Sequence, residues 1–155
     1  MGHVAWPPPE DSRQSWNNSC WAAVLAAFCK KTPGRPKLTE QQLADYYDRE
    51  GDRSYTYDDG TIKPDGLRKI LTEPRFGLKV ESWDPTLFTS KPDYLSQKLG
   101  SGMVILGYYE PAIRGGHICL VYGISGTTVS YLNPDAANGG LLQKDLSHFK
   151  QPPPG

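Results

Sequence analysis

Four side chains in this sequence belong together chemically. Gln14 lies six residues before Cys20, and Cys20 opens the apolar run Cys20-Trp-Ala-Ala-Val-Leu-Ala-Ala-Phe28. His117 follows Gly115-Gly116 at the head of a β-branched and aromatic run, and Asn133-Pro134 comes sixteen residues after the histidine. A cysteine thiol attacks as its thiolate, which is scarce at neutral pH because a free thiol ionises near pH 8.5. Two features are expected to lower that value at Cys20. One is the unpaired N–H groups of a helix N-terminus, and the other is a histidine brought alongside by the fold. His117 then serves as general base to the thiol and general acid to the leaving group. The Gln14 amide and the Cys20 backbone N–H are candidate donors to a developing oxyanion, where one donor is commonly worth about 10²–10³ in rate. Gln14 is therefore expected to face a solvated cleft. A base needs a partner that fixes its tautomer and ring plane. Asn133 is favoured for that role because Pro134 redirects the chain just beyond it, and Asp135 is the rival. His3 and His148 lie in terminal segments without such a setting.

The elements that must position these residues are legible in outline. Residues 20–30 predict a helix buried on most faces, capped by Asn18 or Ser19 and stopped by Thr32-Pro33-Gly34. Residues 39–48 predict a second helix, with Thr39 and Gln42 spaced as a capping box. Residues 63–71 and 92–99 predict two shorter helices with proline near the first turn. Residues 78–83 alternate like a strand, and 103–109, 116–124 and 127–132 are strand-like runs, the last two joined by a tight turn at Ser125-Gly126. Residues 141–146 suggest an edge strand. Helices first and strands later predict an α+β fold with an antiparallel sheet. The strand that bears Asn133 would return it towards His117.

The chain of 155 residues suits one domain spanning 1–155, with proline-rich arms at 1–12 and 151–155 expected to be extended. Lysine plus arginine and aspartate plus glutamate are each 17, so no basic excess points to nucleic acid or an acidic membrane. No apolar run is long enough to span a bilayer, and the first residues carry no signal core. Met1-Gly2-His3 reads as an appended remnant. Three cysteines make a poor disulfide framework, so Cys29 and Cys119 are expected to be small buried hydrophobes. No His or Cys pair has zinc spacing, and neither a metal nor a cofactor is expected.

Taken together, Gln14, Cys20-Trp21, His117 and Asn133 resemble the papain-like cysteine peptidase superfamily, over residues 14 to 135. Gly66-Leu67-Arg-Lys-Ile70-Leu71, Gly116-His117-Ile118 and Val121-Tyr122-Gly123-Ile124 resemble the compact double-glycine peptidase domains that process bacteriocins, which often carry Asp where this chain has Asn133. Ser19-Cys20-Trp21-Ala22-Ala23 is similar to papain-like effector and toxin proteases of bacteria. The resemblance implies a two-lobed fold whose nucleophile helix packs against the sheet bearing the histidine. It implies a protein or peptide substrate, hydrolysed through a thioacyl-enzyme with catalytic Cys20, His117, Asn133 and Gln14. Trp16, Trp21, Gly115 and Gly116 are expected to line the substrate cleft. The tyrosines at 46, 47, 55 and 57 mark either a substrate-selecting loop or a surface connection. A monomer, delivered into a target-cell cytoplasm as part of a larger or carrier-borne effector and countered by a cognate immunity or inhibitor protein, is the setting this branch implies. An amidase, an acyltransferase of transglutaminase or deubiquitinase type, and a catalytically silent protein-binding module are the alternatives.

Overall fold

A computed structural model describes residues 3–15, 19–47, 55–57, 62–80, 93–110, 115–137 and 139–150. Helix α1, Cys20–Lys31, forms where alanines and unbranched apolar residues predominate. Thr32 is extended and ends it, while Lys30 and Lys31 place positive charge at its negative end. The Lys37 ammonium reaches back to the Cys29 and Thr32 carbonyls, satisfying acceptors the last turn leaves open. Helix α2, Glu40–Tyr47, starts on the expected capping box. The Thr39 N–H donates to Gln42 Oε1 at 2.9 Å, and the Gln42 N–H donates to Thr39 Oγ1 at 3.1 Å. Helix α3 is Pro64–Leu71, with proline at its first position, and α4 is Tyr94–Leu99. A short 3₁₀ turn, Pro74–Phe76, follows α3.

The strands are β1 His3–Ala5, β2 Val104–Glu110, β3 Gly115–Ser125, β4 Thr128–Asn133 and β5 Gly140–Asp145. All neighbours are antiparallel, and β3 is central. One edge of β3 pairs with β4. Along the other edge β2 covers its first part, from Gly115 to Val121, and β1 its end, from Gly123 to Ser125. The β3–β4 hairpin pairs Ser125 with Thr128 around Gly126-Thr127, and Gly126 takes the positive φ of +61° that such a turn demands. The fold is thus α+β with a curled antiparallel sheet.

Alternate residues of β3 feed two cores. Ile118 and Leu120 meet Trp21, Val24, Leu25 and Phe28 of α1, backed by Leu43, Tyr47, Ile70 and Phe76. Cys119, Val121 and Ile124 meet Leu95 and Leu99 of α4, Tyr131 of β4, and Leu146 and Phe149 of a closing 3₁₀ turn, Leu146–Lys150. Burying each large side chain of this kind contributes about 1.5–3 kcal/mol. Cys29 and Cys119 are fully buried members of these cores.

Three expectations change. The first arm is not merely extended, because His3–Ala5 is built into the sheet and the Trp6 N–H donates to the Tyr122 carbonyl at 2.8 Å. Residues 78–80 are not strand, and 81–83 lie outside the described residues. Tyr47 is no part of a surface loop. It is 1% exposed, edge-on to the Trp21 ring at 6.1 Å, with its hydroxyl between Glu73 and Arg75. The arm at 151–155 also lies outside the described residues.

Candidate functional site

The histidine–asparagine pair is a product of strand register. Val121 pairs with Tyr131 and Gly123 with Ser130, so Tyr122 is an extra residue on β3. This bulge shifts the side-chain alternation of β3 by one, since faces alternate with period two. His117, Cys119, Val121 and Ile124 consequently share a face with Val129, Tyr131 and Asn133 of β4. Without the bulge His117 and Asn133 would lie on opposite faces. With it, His117 Nε2 and Asn133 Oδ1 are 2.6 Å apart, and both residues are buried.

The proton on this ring follows from its partners. Asn133 Oδ1 also accepts the Asp135 backbone N–H at 3.0 Å, so this end of the amide is its oxygen, which cannot donate. Neutral His117 therefore carries its proton on Nε2 and presents Nδ1 as the basic nitrogen. Asp135 acts here through its backbone, and the ring partner is Asn133. Gly139 packs against this turn so closely that a Cβ there would stand 2.3 Å from the Asn133 carbonyl oxygen and 2.2 Å from that of Asp135.

Cys20 reaches the same end of the sheet from α1. β2 covers one edge of β3 at Ile118, and on the other edge β4 pairs only as far as Leu120. The backbone N–H groups of Trp21, of Ile118, one peptide unit from His117, and of Cys20 itself lie near the thiol. These donors favour the thiolate, yet burial outweighs them and pushes the thiol up to about 11. The N–H groups of the helix start thus act in the expected direction, and burial opposes them. Desolvation, which sequence spacing does not reveal, is the larger effect.

Gln14 is tied to the turn that bears Asn133. Its backbone N–H donates to the Pro134 carbonyl at 2.7 Å, and the neighbouring Arg13 guanidinium donates to the Ala136 carbonyl at 3.3 Å. The side chain is only 7% exposed, so Gln14 is packed and does not face an open solvated cleft. Of two clefts of about 550 and 570 Å³, one is bordered by Arg13 and Glu40 and the other by Ile118, and neither is lined by Gln14, Cys20, His117 or Asn133.

Of the expected cleft residues, Trp21 is corrected. It is 3% exposed and packs in the α1 core, because the helix turns it inward against Tyr47. Gly116 is exposed on β3, paired with Tyr109, and Gly115 begins the strand opposite Glu110. Trp16 lies outside the described residues.

Sequence reasoning passed over the support behind His117. Tyr108 lies directly across from it on β2, with the two rings 5.9 Å apart and edge-on. Beyond it, buried Glu110 lies 3.3 Å from His148 Nε2, and the His148 ring also tilts against Tyr108 at 5.9 Å. The period-two placement of Tyr108 and Glu110 on a strand paired with His117 was the available signal. Nothing local marks His148.

Among the described residues no group of three or more His, Cys, Asp or Glu side chains is placed to hold a metal ion, and no helix is long and apolar enough to cross a membrane. No protein-family model, curated protein or solved structure matches the chain.

Proposed function

We propose that this chain is a papain-like thiol hydrolase that cleaves peptide bonds of a protein substrate, with Cys20 as nucleophile, His117 as acid–base, Asn133 as its orienting partner and Gln14 as an oxyanion donor. The observation that carries this reading is the His117–Asn133 bond at 2.6 Å, which leaves Nδ1 free to act as base while Cys20 sits near the adjoining Ile118 N–H. The two cores on either side of the sheet support the two-lobed arrangement that the superfamily resemblance implies.

In this reading the resting thiol is neutral. As sulfur attacks the carbonyl carbon, its proton passes to His117 Nδ1, and the carbonyl π pair moves onto oxygen. The Cys20 N–H and the Gln14 amide receive that oxyanion. Collapse breaks the C–N bond, and the proton on Nδ1 goes to the departing amine. Water, activated by the same nitrogen, then hydrolyses the thioester. Asn133 acts throughout by holding Nε2–H, so that the ring plane and tautomer are set before substrate arrives. An amidase or acyltransferase would use the same steps with a different leaving group or acceptor. The role of a delivered bacterial effector rests on the resemblance around Ser19-Cys20-Trp21.

The test is an N-terminal proteomic comparison of a cell lysate incubated with wild type and with Cys20→Ala. New N-termini with wild type alone are expected. A lysate left uncut by wild type, with Cys20 inert to thiol alkylators, would favour the silent binding module.

A further inference from the structure

We infer that Glu40 is a positioning residue for the candidate oxyanion site. This rests on the thiol-hydrolase reading. Glu40 is the first residue of α2, twenty positions beyond Cys20. Its carboxylate accepts the Ser15 backbone N–H at 3.0 and 3.2 Å through its two oxygens, and the Ser19 hydroxyl at 2.7 Å. Ser15 follows Gln14, and Ser19 precedes Cys20. One carboxylate thus grips the chain next to each of the two proposed oxyanion donors and fixes the gap between them.

Acidic residues are favoured in a first helical turn for the helix's own sake, through its dipole. That explains a glutamate at this position but not where it points. Ser19 is the N-cap of α1, and its side chain caps no helix N–H. Its hydroxyl donates to Glu40. On the other side, Gln14 is held by the Pro134 carbonyl. The peptide carrying Gln14 is therefore clamped between the Asn133 turn and α2, and α2 is clamped to the start of α1. Both Glu40 partners are donors, and a carboxylate accepts both without conflict. A glutamine would turn its own NH₂ against one of them. Charge-assisted bonds of this kind are roughly twice as strong as neutral ones.

Because an oxyanion exists only in the transition state, loosening its donors should lower kcat and leave KM in place. The experiment is a double-mutant cycle with wild type, Gln14→Ala, Glu40→Ala and the double variant, on a fluorogenic peptide that wild type cleaves. Glu40→Ala should lower kcat about tenfold with KM within about twofold, and the double variant should stay within about threefold of Gln14→Ala, since a misplaced donor and an absent one are the same loss. Alkylation of Cys20 by iodoacetamide, which builds no oxyanion, should change by less than about threefold in Glu40→Ala. Glu40→Gln, which preserves size and one acceptor, should fall between wild type and alanine and guards against a variant that does not fold. Effects of the two single changes that multiply in the double variant would overturn the inference, as would alkylation falling in step with kcat. Peptide turnover that survives Cys20→Ala would instead sink the thiol-hydrolase reading, and the role of Glu40 with it.

Discussion

His117 and Asn133 sit on paired strands, whereas Gln14 and Cys20 are placed by hydrogen bonds that other elements make to Gln14, Ser15 and Ser19. The first pair is aligned by a backbone ladder in which each bond supports its neighbours. The second is aligned by individual bonds, to Pro134 on one side and Glu40 on the other. A ladder resists the loss of one side chain, so changes at the base should read out mainly as chemistry. A loop clamped by single bonds gives way when one bond is lost. The difference also shows in electrostatics. The ring nitrogen of His117 that faces Asn133 has a matched acceptor, while the Cys20 thiol is buried faster than its N–H donors can offset.

The largest expected effect is on the ladder side. His117→Ala should lower kcat by about 10³-fold or more, because the base handles the proton directly. Asn133→Ala should lower it less, because it acts only through the ring. Steady-state kinetics on one cleaved peptide compare the two, and equal losses would mean that Asn133 does more than orient.

Next is the charge state of the nucleophile. Burial raises the Cys20 value to about 11, so roughly one thiol in ten thousand is ionised at pH 7. Iodoacetamide labelling of Cys20 should climb about tenfold per pH unit from pH 7 to pH 10. A plateau reached near neutrality would reveal a preformed thiolate–imidazolium pair and place the two halves of the site on an equal footing. Cys29 and Cys119, both fully buried, should label only on unfolding. The same shift has a consequence for stability. The folded value lies above the unfolded one, so the contribution of Cys20 is intact below about pH 9 and declines as the pH rises through about 11.

The smallest effect sharpens the link between the halves. Gly139→Ala adds a Cβ that would stand 2.2 and 2.3 Å from carbonyl oxygens of Asp135 and Asn133. Backbone atoms must move, at a cost of about 1–3 kcal/mol. A thermal melt should drop by several degrees, at roughly 2–4 °C per kcal/mol for a chain of this size. Since Gln14 hangs on Pro134 in the same turn, kcat should fall with it. A melt unchanged from wild type would show that the turn yields freely and does not pin the two halves together.

What the sequence determined by itself is what depends on neighbours within a turn or two. The capping box at Thr39 and Gln42, the start of α1 at Cys20, the proline at the head of α3 and a tight turn beside Gly126, one residue later than the expected Ser125-Gly126, are set by bonds spanning two to four residues. The chemical types of Gln14, Cys20, His117 and Asn133 were legible for the same reason, because a nucleophile needs a base and a base needs a partner wherever they fall. Tertiary structure decided the rest. That Asn133 shares a face with His117 at all came from the Tyr122 bulge, a register event that no local pattern announces. The raised thiol value came from desolvation by burial, which spacing along the chain does not reveal. The burial of Trp21 and Gln14, the strand at His3–Ala5 and the grip of Glu40 on Ser15 and Ser19 arose in the same way. Each depends on which distant surfaces meet, and that is fixed by the packing of two cores on one sheet, not by any residue's immediate neighbours.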